Sequence, residues 1–211
     1  MTSADRRVRV ATQLRELGHT FVARELSDEE LDDLADHVEG LVKGAADAPM
    51  RVRRPAEDGP ARMSAVAAAD EFVEVQFFAD TLASGAANPM GLGAVLWREG
   101  ETAVMRVTFG YAFEGAPGIA HGGALAALID ETMGVAMVIQ GARVLTAQLD
   151  ITFRAPTPIL EPVTARAWLQ ERVGRKLTVA ASVTCADVVV ADATALFIAV
   201  DPTRLDGSVD V

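Results

Sequence analysis

The middle of the chain holds the residue types that acyl transfer requires. The sequence His121-Gly122-Gly123 closes a loop rich in proline and glycine, and Asp130 follows seven residues after Gly123. A helix that begins at glycines presents unpaired backbone N–H groups and a positive dipole end, which stabilise an oxygen anion. A glycine also lets a substrate carbonyl approach those N–H groups, because it has no Cβ. An anion-stabilising helix start with a nearby carboxylate predicts hydrolysis of an acyl compound.

The separation of the glycines from the acid predicts an assembly. Residues 124–139 are expected to form one helix, so Gly123 and Asp130 share a face but lie roughly 10 Å apart along its axis. A single carbonyl therefore cannot contact both. Two such helices packed antiparallel across a two-fold axis place the glycines of one copy beside the acid of the other, and small residues at Ala127 and Gly134 permit the close approach. We expect a composite site at a homodimer interface.

The same residues have ordinary structural interpretations. A glycine pair before an apolar helix is often only a tight turn, and His121 suits a turn or capping position because it precedes the helix. Glu131 is adjacent to Asp130 but points about 100° away round the helix. Spacing from the glycines therefore favours Asp130 as the reactive acid.

Composition limits the class of protein. The chain has 211 residues, half of them hydrophobic, and a net charge of −11. This length predicts one domain with an extension or two small domains, and the acidic charge argues against a nucleic-acid partner. The single cysteine, Cys185, favours a reducing cytoplasm. Three scattered histidines argue against a metal site, and no uncharged apolar run reaches 18 residues, so no membrane span is expected.

The first part of the chain predicts a peripheral helical extension over residues 1–46. A short amphipathic helix is expected to end near Gly18, and a capping box at Ser27 to Glu30 begins a second helix that runs to about Lys43. Its apolar residues are expected to point inward: Leu31, Leu34, Val38, Leu41 and Val42. The basic cluster at residues 6–9 and the acidic second helix suit a self-packing hairpin or a partner-binding arm. Residues 47–69 predict a linker or surface loop.

Residues 70–211 form the third predicted region, in which the core elements read β-β-α-β-β-β-β. The strands are expected at 94–97, 101–109, 143–153, 163–171, 177–185 and 188–200. Strand 143–153 alternates regularly. One predicted face consists of Leu145, Ala147, Leu149, Ile151 and Phe153, and the other consists of Thr146, Gln148, Asp150 and Thr152. One long apolar helix among antiparallel strands predicts an α+β fold with the sheet wrapped around the helix.

Three stretches together carry a resemblance to a known family. They read GAPGIAHGGALAALIDETMG, VLTAQLDITFRAPTP and GRKLTVAASVTCADVVVADATALFIAV. They resemble hotdog-fold acyl-CoA thioesterases, in the group that includes the carboxyl-terminal modulator protein and the phenylacetate-pathway thioesterases. The resemblance covers about Asn88 to Pro202. It implies a hotdog fold, hydrolysis of acyl-CoA to a free acid and coenzyme A without a cofactor, and a homodimer or dimer of dimers.

The resemblance also implies roles for residues of the candidate catalytic site. Asp130 matches the acid that acts as nucleophile or as general base on water. His121-Gly122 matches the turn whose glycine N–H polarises the thioester carbonyl and stabilises the oxyanion. Thr146 matches a hydroxyl residue that orients the acid or the water.

Further positions are implied to bind substrate. Gly123 belongs to the same turn, Arg175 and Lys176 match a basic turn near the phosphates of coenzyme A, and Asn88 matches a segment near the acyl pocket. Gly115 departs from the phenylacetate-pathway type, which carries a side-chain amide at that position. The oxyanion is therefore expected to depend on backbone N–H groups.

Other functions stay open at this point. A non-catalytic acyl-CoA sensor with the same fold is one alternative, and an acyl-carrier-protein thioesterase is another. A hotdog hydratase is disfavoured, because residues 86–91 around Asn88-Pro89 hold neither the acid nor the histidine expected there. An α/β-hydrolase is disfavoured because the chain has no G-x-S-x-G elbow.

Overall fold

The computed structural model describes residues 1–50 and 79–200. Most of the expected linker, a short apolar stretch at 72–78 and the last residues, 201–211, lie outside the described residues. The helices are α1 (Ser3–Ala23), α2 (Asp28–Ala46) and α3 (Gly122–Ile139), with a 3₁₀ turn at Tyr111–Phe113. The strands are β1 (Val95–Glu99), β2 (Thr102–Thr108), β3 (Glu114–Ala116), β4 (Ile119–Ala120), β5 (Val144–Phe153), β6 (Pro162–Val173), β7 (Lys176–Cys185) and β8 (Val188–Ala199).

One antiparallel sheet packs against one face of α3. Its strand order is β1-β2-β6-β7-β8-β5, and β3 and β4 form a separate small hairpin. The α+β prediction is therefore confirmed, and all six predicted strands are present within about two residues of their expected ends. The β3–β4 hairpin was not predicted, because it lies in the Pro/Gly-rich loop before His121, where short strands leave no periodic pattern.

Helix α3 is the centre of the hydrophobic core. Eight of its residues are buried, and they are Leu125, Leu128, Ile129, Thr132, Met133, Val135, Ala136 and Met137. By length and composition this helix, alone among the described residues, is apolar enough to cross a membrane. Core helices pass the same test, and here the helix packs on β2, β5, β6 and β7.

Strand β5 departs from the regular alternation that its sequence predicts. Its pairing with β8 shifts by one residue between Thr146 and Gln148, which is a β-bulge. Thr146 pairs with the buried Phe197, whereas Leu145 is 54% exposed on the opposite face. The prediction that Leu145, Ala147 and Leu149 share one face of the strand was therefore wrong. A bulge adds one residue and so reverses the faces on one side of it.

Helix α1 is longer than predicted and is fixed to the core domain. It runs through Gly18 to Ala23, since one glycine inside a helix costs only about 1 kcal/mol. The Arg15 guanidinium donates to the carbonyl oxygens of Ala86 and Asn88, at 3.1 and 2.5 Å. Nδ1 of His19 accepts from the N–H of Ala112 at 3.1 Å. These contacts pin the helix to the loops that precede β1 and α3.

Helix α2 begins at the predicted capping box, in which Ser27 and Glu30 exchange hydrogen bonds. Its apolar residues do not point inward as expected. No residue of α2 is buried, and Leu41 is 71% exposed. The helix does not pack along α1 within one chain, so the self-packing hairpin was a wrong prediction.

Candidate active site

The carboxylate of Asp130 and the hydroxyl of Thr146 are joined by a hydrogen bond. Oγ1 of Thr146 donates to Oδ1 of Asp130 at 2.8 Å. Asp130 lies near the middle of α3, on the face that meets β5, and its side chain is half-buried. Thr146 reaches it because the bulge turns that residue toward the helix. The sequence paired these two residues correctly through the family resemblance, while the predicted strand faces separated them.

The start of α3 leaves one backbone donor available. His121 is the N-cap, and its Nδ1 accepts from the N–H of Gly123 at 2.9 Å. The backbone N–H of His121 itself donates to the carbonyl of Phe113 at 2.7 Å. In the part of the chain that the structure describes, the N–H of Gly122 has no acceptor. The N–H of Gly122 is therefore available to a ligand, and His121 acts as a cap that holds the turn.

The same turn explains why residue 115 is a glycine. A Cβ built on Gly115 would lie 2.9 Å from Cα of His121, which is closer than real Cβ atoms approach backbone. The loop therefore cannot carry an amide side chain here without moving the turn. This explains in steric terms why the position departs from the phenylacetate-pathway type.

Phe153 is a neighbour of Gly122 that was not among the predicted site residues. A Cβ built on Gly122 would lie 3.2 Å from Cζ of its ring. Phe153 is nevertheless 54% exposed. The partly exposed ring therefore lies beside the residue with the free N–H, and its aromatic residue type at a strand end was the only signal in the sequence.

Asp130 and Gly122 are not brought together within one chain. They are eight residues apart on a continuous helix, or about 12 Å along its axis. Both face β5, which is an edge strand with β8 as its single partner among the described strands. Asp130 lies beside Thr146 near the start of β5, and Gly122 lies beside Phe153 at its end.

The second acid of the pair, Glu131, has a structural role. Its carboxylate accepts hydrogen bonds from the Thr81 hydroxyl at 3.0 Å, from the N–H of Ala83 at 2.7 Å and from the N–H of Ser84 at 2.9 Å. The Ser84 hydroxyl donates to it as well, at 2.5 Å. Glu131 thus fastens the loop before β1 to the central helix. These contacts support the choice of Asp130 as the reactive acid.

Asn88 is held by its own loop. Its side-chain amide donates to the carbonyls of Asp80 and Thr81, and its Oδ1 accepts from the N–H of Met90 at 2.9 Å. The structure therefore shows Asn88 as a residue that shapes the loop at 80–91. It shows no contact between Asn88 and Asp130 or His121.

The basic turn joins β6 and β7 at the end of the sheet where Thr146 lies, but Lys176 is on the opposite face of the sheet. Lys176 pairs with Ile198, and Ile198 pairs with Leu145, which places Lys176 two strands, or roughly 10 Å, from Leu145. Residues in one cross-strand row share a face, so Lys176 lies on the face opposite α3. Nε of Arg175 donates to the carbonyl of Ala199 at 3.0 Å. The structure does not bring this turn together with Asp130 in one chain.

The described residues contain no group of three or more His, Cys, Asp or Glu side chains that could hold a metal ion. The groups that the described residues offer beside β5 are a half-buried carboxylate and an oriented hydroxyl near the start of the strand, and a free backbone N–H at its end. This set matches the requirements for attack on an activated carbonyl.

Comparison with known proteins agrees with this chemistry. Residues 117–191 match the family model described as the thioesterase superfamily. The acyl-coenzyme A thioesterase THEM4 of Mus musculus is 40% identical over 97 residues, which cover 45% of this chain and 42% of the mouse protein. THEM4 of Xenopus laevis is 34% identical over 91 residues, which cover 42% of this chain and 41% of the frog protein. The matched part thus spans less than half the length of these curated relatives.

Solved structures show the same fold. The crystal structure of the thioesterase superfamily protein RHA08564 superposes with a TM-score of 0.75 at 24% identity, covering 91% of this chain and 90% of that one. The PaaI protein from the phenylacetic acid degradation operon of E. coli superposes with a TM-score of 0.50 at 20% identity, covering 52% of this chain and 81% of that one. The resemblance to the hotdog thioesterases is confirmed, and the segment that matches the thioesterase superfamily model, residues 117–191, carries the candidate site.

Proposed function

We propose that this chain hydrolyses acyl-coenzyme A thioesters to the free acid and coenzyme A. The observation that carries the proposal is the hydrogen bond from Thr146 to Asp130 at β5, the edge strand of the sheet that the described residues form. The curated relatives that match this region are named acyl-coenzyme A thioesterases, which supports the choice of substrate. The residue roles that the resemblance implies are carried into the proposal.

Asp130 supplies the attacking step. The bond from Thr146 engages Oδ1, which leaves Oδ2 free for a water molecule or for the substrate. As general base, Asp130 takes a proton from water while the water oxygen attacks the carbonyl carbon and gives the free acid directly. As nucleophile, Asp130 attacks that carbon itself and forms a mixed anhydride, which water then hydrolyses to the free acid and the regenerated carboxylate. In both routes the C–S bond breaks, and the thiolate of coenzyme A leaves and takes up a proton.

Gly122 stabilises the charge that develops on the carbonyl oxygen. Its N–H has no acceptor in the described part of the chain, and it lies at the positive end of the α3 dipole. A thioester carbonyl is already electrophilic. One carboxylate and one or two N–H donors therefore suffice without a Ser-His-Asp triad.

A second copy of the chain completes the site. Thr146 and Phe153 lie at opposite ends of β5, beside Asp130 and Gly122 respectively. If two β5 strands pair antiparallel about their midpoint at Leu149 and Asp150, then Thr146 of one copy lies opposite Phe153 of the other. That pairing carries Asp130 toward the second copy's Gly122. It also covers the long open edge, which would otherwise favour aggregation.

A thiol-release assay over a panel of acyl-CoA esters tests the function. Wild-type protein is expected to release coenzyme A from at least one acyl class, whereas Asp130→Asn retains binding and releases none. Acyl esters of N-acetylcysteamine lack the phosphates, and acyl-carrier-protein esters replace the nucleotide, so the same assay shows which thiol carrier is used. If wild-type protein binds acyl-CoA tightly and releases no thiol from any ester, the chain is a sensor and the hydrolase proposal is wrong.

A further inference from the structure

The two N-terminal helices carry apolar surfaces that the rest of the chain leaves uncovered. On α1 this surface consists of four large hydrophobic residues that are between 39% and 53% exposed, namely Val10, Leu14, Leu17 and Phe21. We call these four residues the α1 stripe. Their spacing of four, three and four residues is that of the a and d positions of a coiled coil. The opposite face of α1 carries Ala11, Arg15 and His19, which contact the core domain. The helix therefore has one face in use and one apolar face open.

Helix α2 shows the same pattern more strongly. Its stripe consists of Leu31, Leu34, Val38 and Leu41, spaced by three, four and three residues, and we call it the α2 stripe. None of the four is buried, and α2 has no buried residue at all. An amphipathic helix of this kind is stabilised chiefly by packing of its apolar face. The α2 stripe therefore requires a partner that the single chain does not supply within its described residues.

The charges of the two helices are complementary. Helix α1 carries four arginines against two acids, and α2 carries seven acids against one lysine. Arg6 and Arg7 flank the amino end of the α1 stripe at 100° per residue. The first turn of α2 is entirely acidic, with Asp28, Glu29 and Glu30. Opposite charges beside two a/d seams are the arrangement that selects a partner and its orientation in coiled coils.

A groove beside the α1 stripe fits this partner. It has a volume of about 410 Å³ and is bordered by Arg6, Arg7, Val10 and Leu14 of α1 together with Ala87 and Pro89. Its walls are apolar and its rim is basic. An acidic helix with a leucine stripe has the complementary chemistry.

We infer that α2 of one copy packs along α1 of a second copy, and that the exchange is reciprocal across the dimer. The acidic first turn of α2 lies beside Arg6 and Arg7, so the two helices run in the same direction. Placing Glu30 beside Arg6 then sets Val10 against Leu34, Leu14 against Val38 and Leu17 against Leu41. The interface is separate from β5 and does not depend on the proposed activity.

Disulfide trapping between two differently tagged chains tests the exchange. One chain carries Leu17→Cys, the other Leu41→Cys, and the two are co-expressed and oxidised. A d-position pair brings the Cα atoms within disulfide range, so most of the protein is expected to migrate as a mixed-tag pair under non-reducing conditions. The wild-type chain is the blank, because its only cysteine, Cys185, is buried.

Matched variants decide what the cross-link reports. Glu16→Cys in place of Leu17→Cys keeps a cysteine on exposed α1 surface that is turned away from the stripe, and the mixed pair is expected to fall at least tenfold. Arg6→Glu with Arg7→Glu is expected to reduce it similarly. Absence of the mixed pair, or equal yields from Leu17→Cys and Glu16→Cys, overturns the inference and leaves the α2 stripe to another partner. The two cysteine variants should cross-link equally well when each chain also carries Asp130→Asn. A failed activity assay and a failed exchange are therefore distinguishable.

Discussion

Thr146 donates a hydrogen bond of 2.8 Å to Asp130 from a strand position that regular alternation would turn to the other face of the sheet. The extra residue of the β5 bulge makes this contact possible. Bulges are common next to active sites, where they re-aim a side chain. The contact holds the carboxylate at the edge where we propose that a second copy binds.

The first prediction concerns the two partners of this hydrogen bond. Asp130→Asn removes the base or nucleophile and is expected to lower kcat by at least about 10²-fold. Thr146→Ala removes one hydrogen bond to a charged group, worth about 1.5–3 kcal/mol, and should lower kcat roughly 10- to 100-fold. Thr146→Ser keeps the hydroxyl and is the matched control. Steady-state kinetics with the best acyl-CoA measures all three, and full activity in Asp130→Asn would show that another group attacks the thioester.

The second prediction concerns the sharing of the site between two copies. Gly122→Val places a branched side chain against Phe153 and blocks the oxyanion donor, so it is expected to be inactive by itself, as is Asp130→Asn. A mixed dimer of these two variants holds one doubly damaged site and one intact site. Co-expression at equal levels should therefore restore about one quarter of wild-type activity. A mixture as inactive as its parents would place both groups of each site in one chain.

The third prediction separates the structural acid from the reactive one. Glu131 accepts four hydrogen bonds from the loop at residues 81–84. Glu131→Gln replaces an acceptor oxygen by a donor and should cost about 2–3 kcal/mol, or roughly 5–10 °C in Tm. Asp130→Asn, on the neighbouring residue, should leave Tm nearly unchanged. Thermal unfolding of both variants checks this, and equal Tm values would mean that the loop contacts carry little stability.

The fourth prediction concerns pH and the docking of α1. Burial, followed by the charge of Arg15, lowers the pKa of His19 from its usual value of 6.5. The neutral ring accepts the N–H of Ala112 and packs edge-on against Phe113, with ring centroids 5.3 Å apart. A lowered histidine pKa contributes stability that is complete above pH about 6.5 and is lost as the pH falls through the lowered value.

Limited proteolysis of α1 between pH 7.5 and pH 5 measures this dependence. Wild-type protein should become more susceptible at the acidic end, whereas His19→Ala should be susceptible at both. His37→Ala is the control, because His37 is exposed on α2 and should leave the wild-type response in place. If the resistance of His19→Ala to proteolysis still decreases as the pH falls, then groups other than His19 cause the effect.

The fifth prediction concerns the basic turn. If Arg175 and Lys176 contact the phosphates of coenzyme A, then Arg175→Ala with Lys176→Ala should raise KM for acyl-CoA severalfold and leave KM for the N-acetylcysteamine ester unchanged. A matched pair of changes at Arg98 on β1 and Arg166 within β6, both away from the basic turn, controls for the loss of two positive charges. An equal rise for both substrates would argue against phosphate contact.

Much of this molecule follows from the sequence alone. The glycines and prolines before His121 indicate where α3 begins. Apolar residues recur with one period in the six strands and another in the core helix, because burial of one face imposes those periods. The residues His121, Gly122 and Asp130 are recognisable by type and spacing on one helix. The capping box of α2 is equally local, since its two hydrogen bonds join residues three apart.

The remainder depends on contacts between residues distant in the chain. The face of Thr146 was decided by its register against Phe197, fifty-one residues later, where one extra residue reverses the alternation. The role of Glu131 was decided by a loop some fifty residues earlier that donates to it. The exposure of the α2 stripe arises because α2 meets no apolar surface of its own chain among the described residues, although its periodicity matches that of a buried helix. Periodicity reports which residues require burial, and the tertiary structure alone decides what buries them.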